Sequence, residues 1–412
     1  MKILVIVDSY PPHHGGGYEL RCKDVIDRLI QKGHSVKIIS TKAQNQDKKN
    51  HREEDIYRVL HSEDNSKPLY RRIYYDYQDV KFLDTIIKSF KPEIIYLWHT
   101  INLTRTIFPY LAECNIPIVY DEGGIGLSWA WQHHGPWYTM IDHKSSSPIK
   151  NYTKSVLSFI VNFLSSGLIK KRFQWPIINT YFNSLLNLDN ALIAKVPLNK
   201  CQVIYSGIEL SNFKFKETRE FHSPIEIITP GRIVPNKGSI DSIRLILELK
   251  KKNIHAKLKI IGKPANKAYL QEILTLIKEF HLEENIAFVD FVSHDKMNEL
   301  YWASDFCFFP SYHKSGFSRI PLEAMASGCL VLTYGNEGSD EIISDNETGC
   351  IVPEGNISLA SDLIEEVIQK PDIYRKYIIA ARNEIEQKYD MKSYVDKIEN
   401  YLLGSMKMPS NG

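Results

Sequence analysis

Apolar runs of strand length, each released into a polar loop and then a helical stretch, recur along this chain and constrain its fold more than any other feature. The first is KILVIVDS, followed by the loop YPPHHGGG, a helix of about Tyr18 to Gln31, then Gly33 and the strand SVKIIST. This order is the βαβ unit of a parallel sheet covered by helices. EIIYLW, a helix from about Leu103, PIVYD, IINTYFN, another helix and CQVIYSGIE extend the series. The span 43–80 is polar and Tyr-rich and reads as less regular.

A second series begins after Phe213. IEIITPG leads through RIVPNKG to a helix of about Ser239 to Lys251; KLKIIGK, IAFVDFV, FCFFP and LVLTYG follow, with helices between them and Ser293 as an N-cap. Two successive βα arrays in 412 residues imply an α/β protein of two Rossmann-like domains facing across a cleft. The expected boundaries are 1–205 for the first domain, 206–385 for the second, and 386–404 for a C-terminal helix returning to the first. In open parallel sheets, ligands bind beyond the carboxyl ends of the strands, so the loops after the strands are where chemistry is expected.

Composition narrows the class. No run approaches the ~20 apolar residues that span a bilayer, and MKILVIVDSYPP is expected as a first strand, not a signal peptide. The six cysteines are scattered, with no CxxC pair, which fits reduced thiols in a cytoplasmic protein and neither a disulfide framework nor a zinc site. His13 and His14 have no third ligand nearby, so no metal is expected. The net charge of +2 conceals a split: residues 1–205 hold 26 Lys and Arg against 19 Asp and Glu, and residues 206–412 hold 25 against 30. A basic half suggests an anionic partner, yet no nucleic-acid-binding motif is present.

Two features of the second series suit a diphosphate. Arg232 and Lys237 flank the loop after IEIITPG, one a planar fork and the other a mobile point charge. In SGFSRIPLEAMASG a glycine turn runs into a helix at Gly316, Phe317, Ser318 and Arg319, where unpaired N–H groups favour an anion. Glu323, one turn further in, suits the two hydroxyls of a ribose better than a phosphate. Solvated loop charges and a surface glutamate are the plain alternatives.

GRIVPNKG, FVSHDKMNELYWASDFCFFPS, GFSRIPLEAMASGCLVLTYGNEGSDEII and NETGCIVPEGN, in this order, resemble the donor half of the family 4 retaining glycosyltransferases of GT-B architecture. YPPHHGGGYEL, KGHSVKII, PEIIYLWH and FNSLLNLDNALIAKVPLNKCQVIYSGIELSNF extend the resemblance over nearly the whole chain, most weakly at 43–85 and 125–175. It implies a metal-independent transfer from a UDP- or GDP-sugar to a glycan or lipid-linked glycan, with no cofactor. Gly16 and Gly17 would approach the donor phosphates, Arg232 and Lys237 would neutralise the diphosphate, backbone groups at Phe291 and Val292 would hold the base, and Glu323 the ribose. Glu341 matches the acid of the family's later glycine loop. Retention without an obvious nucleophile resembles the family's front-face route.

Two positions depart from that pattern. Where the family places a glutamate eight positions before Glu323, this chain has Ser315. Where many relatives place a histidine after PIVYD, it has Gly123, preceded by Asp121 and Glu122. Those two carboxylates and His99 are the candidate catalytic groups, against a strand-end cap for Asp121 and a packed residue for His99. The departures also keep open a non-catalytic subunit supporting a partner transferase. Trp129, Trp131 and Trp137 are candidates for the acceptor side, with packing as the alternative. For 144–172, two readings are open. One is a helix lying on an anionic membrane surface, supported by the regional charge; the other, given slightly more weight, is a core-facing helix with a solvated basic end.

Overall fold

A computed structural model describes residues 1–13, 16–42, 55–64, 66–218, 220–290, 292 and 294–406. The chain divides into two compact units. The first comprises Met1–Asn183, Asn187–Ile204 and the chain from Val395 onward; the second comprises Ser184–Leu186 and Tyr205–Tyr394.

The first unit is built on seven parallel strands: β1 (Lys2–Val7), β2 (Ser35–Thr41), β3 (Ile56–Leu60), β4 (Ile94–Trp98), β5 (Ile118–Glu122), β6 (Ile178–Phe182) and β7 (Cys201–Val203). Their order across the sheet is β3-β2-β1-β4-β5-β6-β7. Helices cover both faces of such a sheet, so its central strands must be apolar on both sides. Accordingly Ile3 to Val7 and Ile94 to Trp98 are wholly buried. The order reverses between β1 and β4, which brings the loops after those strands and after β5 to one place on the carboxyl edge.

Regular structure extends into the span read as irregular. β3 lies within it, and so does the start of a helix at Leu69–Phe90. That helix anchors itself through Val80, Leu83, Ile86 and Phe90 near its C-terminal end, whereas Tyr70 and Tyr74 in its first turns are exposed. Full burial is therefore confined to its second half, Ile73 and Tyr77 being only partly buried, and the tyrosine-rich first half hides the helix from a reading by periodicity.

The second unit has six parallel strands: β8 (Ile225–Pro230), β9 (Ala256–Ile261), β10 (Ile286–Val289), β11 (Phe306–Phe309), β12 (Leu330–Thr333) and β13 (Cys350–Ile351). Their order is β10-β9-β8-β11-β12-β13, so the reversal falls between β8 and β11. Ile227, Phe306, Phe308, Leu330 and Leu332 form the centre of its core.

The last helix is Met391–Met406; residues 386–388, expected within it, instead close the preceding helix Pro371–Lys388. From Val395 onward the chain belongs to the first unit. There Glu399 accepts from Lys32 and His34, each at 2.7 Å, and the Tyr401 hydroxyl lies 2.9 Å from the carbonyl of Thr180 and 2.8 Å from that of Lys200.

Candidate functional site

Three loops converge at the carboxyl edge of the second sheet, after β8, β11 and β12, which are neighbours in the sheet. The loop after β8 ends at Gly238, whose φ of +71° favours glycine and whose missing Cβ would lie 2.1 Å from the Pro310 carbonyl oxygen. That close approach seats the β8 loop against the β11 loop and brings Lys237 to the Glu337 carboxylate, in the loop after β12. The Ser311 hydroxyl donates to the same Glu337 oxygen.

His313 stands in the combined field of Glu337, Lys237 and Arg232. Burial pushes its imidazole pKa down; Glu337 opposes that and the two cations add to it. Its Nε2 lies 3.1 Å from Ser315 Oγ, and its Nδ1 lies 3.4 Å from the amide nitrogen of Asn236, which can only donate. The imidazole therefore carries its proton on Nε2 and donates to Ser315. Arg232 is exposed beside this cluster. The structure thus brings Lys237 to a carboxylate, Glu337, that the sequence reading did not single out, and gathers Arg232 and Ser315 beside His313 in the same cluster. A glycine-flanked acid directly after a strand, in TYGNEGSDE, was the available signal.

The glycine turn is arranged otherwise than expected. The helix starts at Ile320, after a loop through Gly316, Phe317, Ser318 and Arg319, and runs for seven residues to Ala326. Gly316, at φ +93°, makes the turn, and its carbonyl accepts from Ser184 at 3.2 Å. The Ser318 N–H, one of those expected to face an anion, donates to the Glu337 carbonyl at 3.0 Å, and the Ser318 hydroxyl accepts from Ile320 N at 3.3 Å. Phe317 lies 5.7 Å from the Tyr205 ring.

Glu323 accepts from the Tyr301 hydroxyl at 3.1 Å and lies 4.0 Å from Arg319 Nε. Burial, and then the Glu323 carboxylate, hold the Tyr301 phenol well above its ordinary pKa, so it remains a donor. Glu341 accepts from the backbone N–H groups of Leu185 and Leu186 at 2.7 and 3.0 Å, which accounts for its carboxylate without a ligand. Val292 packs beside the core around Ile261 and Leu322. Phe291, Ser293 and His14 lie outside the described residues.

At the carboxyl edge of the first sheet, Asp8 follows β1 and His99 follows β4. His99 Nδ1 is 3.5 Å from Asp8 Oδ2, and Asn102 donates to the same oxygen at 2.6 Å. His99 adopts φ +39°, an uncommon conformation for a residue with a Cβ. Burial disfavours its charge, yet Asp8, Glu19 and Glu122 outweigh that and raise its pKa. It is the candidate acid or base in this unit that retains partial exposure.

Asp121 and Glu122 are both buried. Asp121 is paired with Arg21, and the Tyr18 hydroxyl lies 2.9 Å from the same carboxylate oxygen. The Arg21 guanidinium sits 4.8 Å from the Tyr18 ring centroid and 4.9 Å from that of Trp98. A Cβ on Gly123 would come within 2.1 Å of the Tyr18 ring and 2.7 Å of Arg21. Glycine at this position thus makes room for this cluster. Glu122 accepts from the N–H groups of Gly124 at 2.8 Å, Gly126 at 3.2 Å and Leu127, closing the start of the helix Gly126–Gln132. Burial raises its pKa against the pull of those donors.

Gly16 and Gly17 open the helix Gly17–Gln31, and among the described residues no atom lies within 4 Å of where their Cβ atoms would be. Among the tryptophans, Trp137 belongs to the core with Tyr138 and Ile169, so it does not line a surface. Trp131 is partly buried against Trp175, while Trp129 is exposed and stacks on His133 at 3.7 Å.

Comparison with known proteins places this geometry. Residues 211–384, nearly all of the second unit, match the family described as Glycosyl transferases group 1. In that stretch the chain is similar to the group 1 glycosyltransferases. An uncharacterised glycosyltransferase of Methanocaldococcus jannaschii is 24% identical to it over 99% of each chain. The N-acetylgalactosamine-N,N'-diacetylbacillosaminyl-diphospho-undecaprenol 4-alpha-N-acetylgalactosaminyltransferase of Campylobacter jejuni is 26% identical over 64% of this chain and 70% of its own. Among solved structures, Anabaena HepE in complex with UDP-glucose superposes with a TM-score of 0.70 at 17% identity, covering 98% of this chain and all of the other, which fixes the fold of this chain as GT-B.

Proposed function

We propose that this chain is a glycosyltransferase, a retaining, metal-independent enzyme that moves a sugar from a UDP- or GDP-sugar to a glycan or lipid-linked glycan, in cell-surface polysaccharide synthesis on the cytoplasmic side. The observation that carries the reading is the convergence of Arg232, Lys237, His313 and Ser315 on the carboxyl edge of the second sheet, with Glu323 in the helix that follows. Lys237 is held by Glu337. A donor diphosphate would take Glu337's place, so that Lys237 and Arg232 neutralise the charge developing on the leaving group. Glu323, oriented by Tyr301, accepts from the ribose hydroxyls.

Catalysis on this reading is positioning plus charge stabilisation, with His99 as the proton-handling group of the first unit. The relative that acts on a diphospho-undecaprenol-linked sugar supports the class of acceptor. A non-catalytic subunit is less well supported, because it would have no use for Arg232, Lys237 and Glu323 together.

The test is a calorimetric titration with UDP-, GDP- and ADP-sugars of the wild type, Lys237→Ala and Glu323→Ala. One nucleotide class should bind. Loss of a hydrogen bond to a charged group, about 1.5–3 kcal/mol, should weaken binding roughly ten- to a hundredfold in each variant. Absence of binding to every nucleotide sugar would end this reading.

A further inference from the structure

The helix Pro148–Leu164, in the first unit, has its amphipathic pattern turned inside out. Ile149, Tyr152, Val156, Phe159, Ile160 and Phe163 recur at helical spacing and form an outward arc, with exposures from 39% at Val156 to 76% at Ile149. The inward face is mostly polar, with Val161 packed against the core of Trp137, Tyr138 and Ile169. Ser158 is its buried residue, and its hydroxyl donates to the Lys171 carbonyl at 2.6 Å; Asn162 donates to the Ile169 carbonyl at 2.8 Å, and Asn151 to the Ser145 carbonyl at 2.8 Å. Side-chain hydrogen bonds to the flanking loops therefore fix the helix with its apolar face in solvent. The core-facing reading of this segment does not describe it.

Cations of one sign surround the arc. From His143 to Leu188 the chain has no Asp or Glu, while Lys144, Lys150, Lys154, Lys170, Lys171 and Arg172 fall within that span. The Lys171 ammonium sits 4.7 Å from the Phe159 ring centroid, and Lys154 donates to the His143 carbonyl at 2.7 Å, so two of the charges are held beside the apolar residues. Among the described residues, Lys170 is the one of the six with an acidic partner, Glu113 at 2.5 Å.

We propose that this face docks on an anionic lipid bilayer, with the arc set into the headgroup boundary and the lysines at the phosphates. Charge decides the occupant. A second copy would set the same face against itself and bring two predominantly basic arrays together, with Glu113 beside Lys170 offsetting little of that charge. Lysine is moreover depleted in protein interfaces, whereas an apolar face flanked by Lys and Arg is the pattern of a helix lying in the membrane plane. Among the described residues no helix is long and apolar enough to cross a membrane, so the contact is with the surface. This inference stands apart from the transferase reading, because its test reads binding and not activity.

The experiment is co-sedimentation of the full chain with vesicles of phosphatidylcholine alone and of phosphatidylcholine with phosphatidylglycerol in equal parts. The anionic vesicles should bind at least roughly tenfold more tightly, and raising the salt should release the protein. The double variant Phe159→Ser/Phe163→Ser, altered only at exposed positions and checked by thermal melting, should lose the binding. Equal or negligible binding to both vesicles, or unchanged binding by the double variant, would overturn the proposal. So would a dimer in solution that the double variant converts to monomer, since the arc would then belong to a second copy.

Discussion

At the carboxyl edge of each sheet a basic side chain meets a carboxylate, and the two pairs differ in what surrounds them. Arg21 and Asp121 in the first unit are 4% and 0% exposed, with the guanidinium against the rings of Tyr18 and Trp98. Lys237 and Glu337 in the second are 15% and 7% exposed, and the exposed Arg232 lies in the same field. Desolvating a charge costs several kcal/mol, so breaking a fully buried pair by removing one partner is expensive. A lysine on a flexible stem at an accessible edge can exchange one anion for another. The first arrangement maintains a shape; the second can release a cation to a ligand.

Substitution at the locked pair has the largest expected effect. Asp121→Ala would leave the Arg21 charge buried without its partner, a loss of about 3–5 kcal/mol. Denaturant unfolding should show the midpoint falling sharply. Lys237→Ala, read by the same method, should change stability far less. If the two variants lost stability equally, the distinction between a structural and an exchangeable pair would collapse.

A second test uses another acid of the first unit. Burial raises the pKa of Asp76 to about 6, while the Thr106 hydroxyl donates to it at 2.9 Å. A folded-state pKa above the unfolded value means that the folded protein holds a proton which the unfolded chain has already released. The associated stability is complete below about pH 4 and is lost as pH rises through about 6. Asp76→Asn stays neutral and can still accept from Thr106. It should therefore exceed the wild type by about 1 to 3 kcal/mol at pH 8 and match it near pH 4, by thermal unfolding across pH. An equal gap at both pH values would assign the effect to packing instead of ionisation.

The contrast also explains what could be read from the sequence. Strand-length apolar runs such as KILVIVDS and IEIITPG identify a parallel sheet because burial on both faces leaves no room for alternation. The basic residues around IVPN stood out because their spacing matches a diphosphate. The partners of the first unit's acids were not legible in the same way. Nothing local to PIVYDEGG says that Arg21, 100 residues earlier, lies against Asp121, or that Glu122 turns to the N–H groups of Gly124, Gly126 and Leu127. The helix Pro148–Leu164 was misleading for a related reason: periodicity reveals an apolar face but not which way it points. Ser315 was conspicuous as a missing glutamate, yet the carboxylate that the fold supplies near it, Glu337, comes from a loop 22 residues further on.

Glu337 is where the comparison can be sharpened, with a smaller expected effect. If Lys237 exchanges partners, Glu337 competes with the donor diphosphate, and removing its charge without its shape should favour the ligand. Glu337→Gln should then bind a nucleoside diphosphate more tightly, by a few-fold to about tenfold, which is about 1.4 kcal/mol at most. The glutamine can still accept from Ser311, so the loop after β12 should keep its place against the loop after β11. Calorimetry with the nucleotide class found for the wild type reads the change, and Glu337→Gln/Lys237→Ala provides the control. In that background the gain should vanish, because no cation remains to be released. Weaker binding by the single variant would mean instead that Glu337 holds Lys237 in its working position, making the second pair structural like the first.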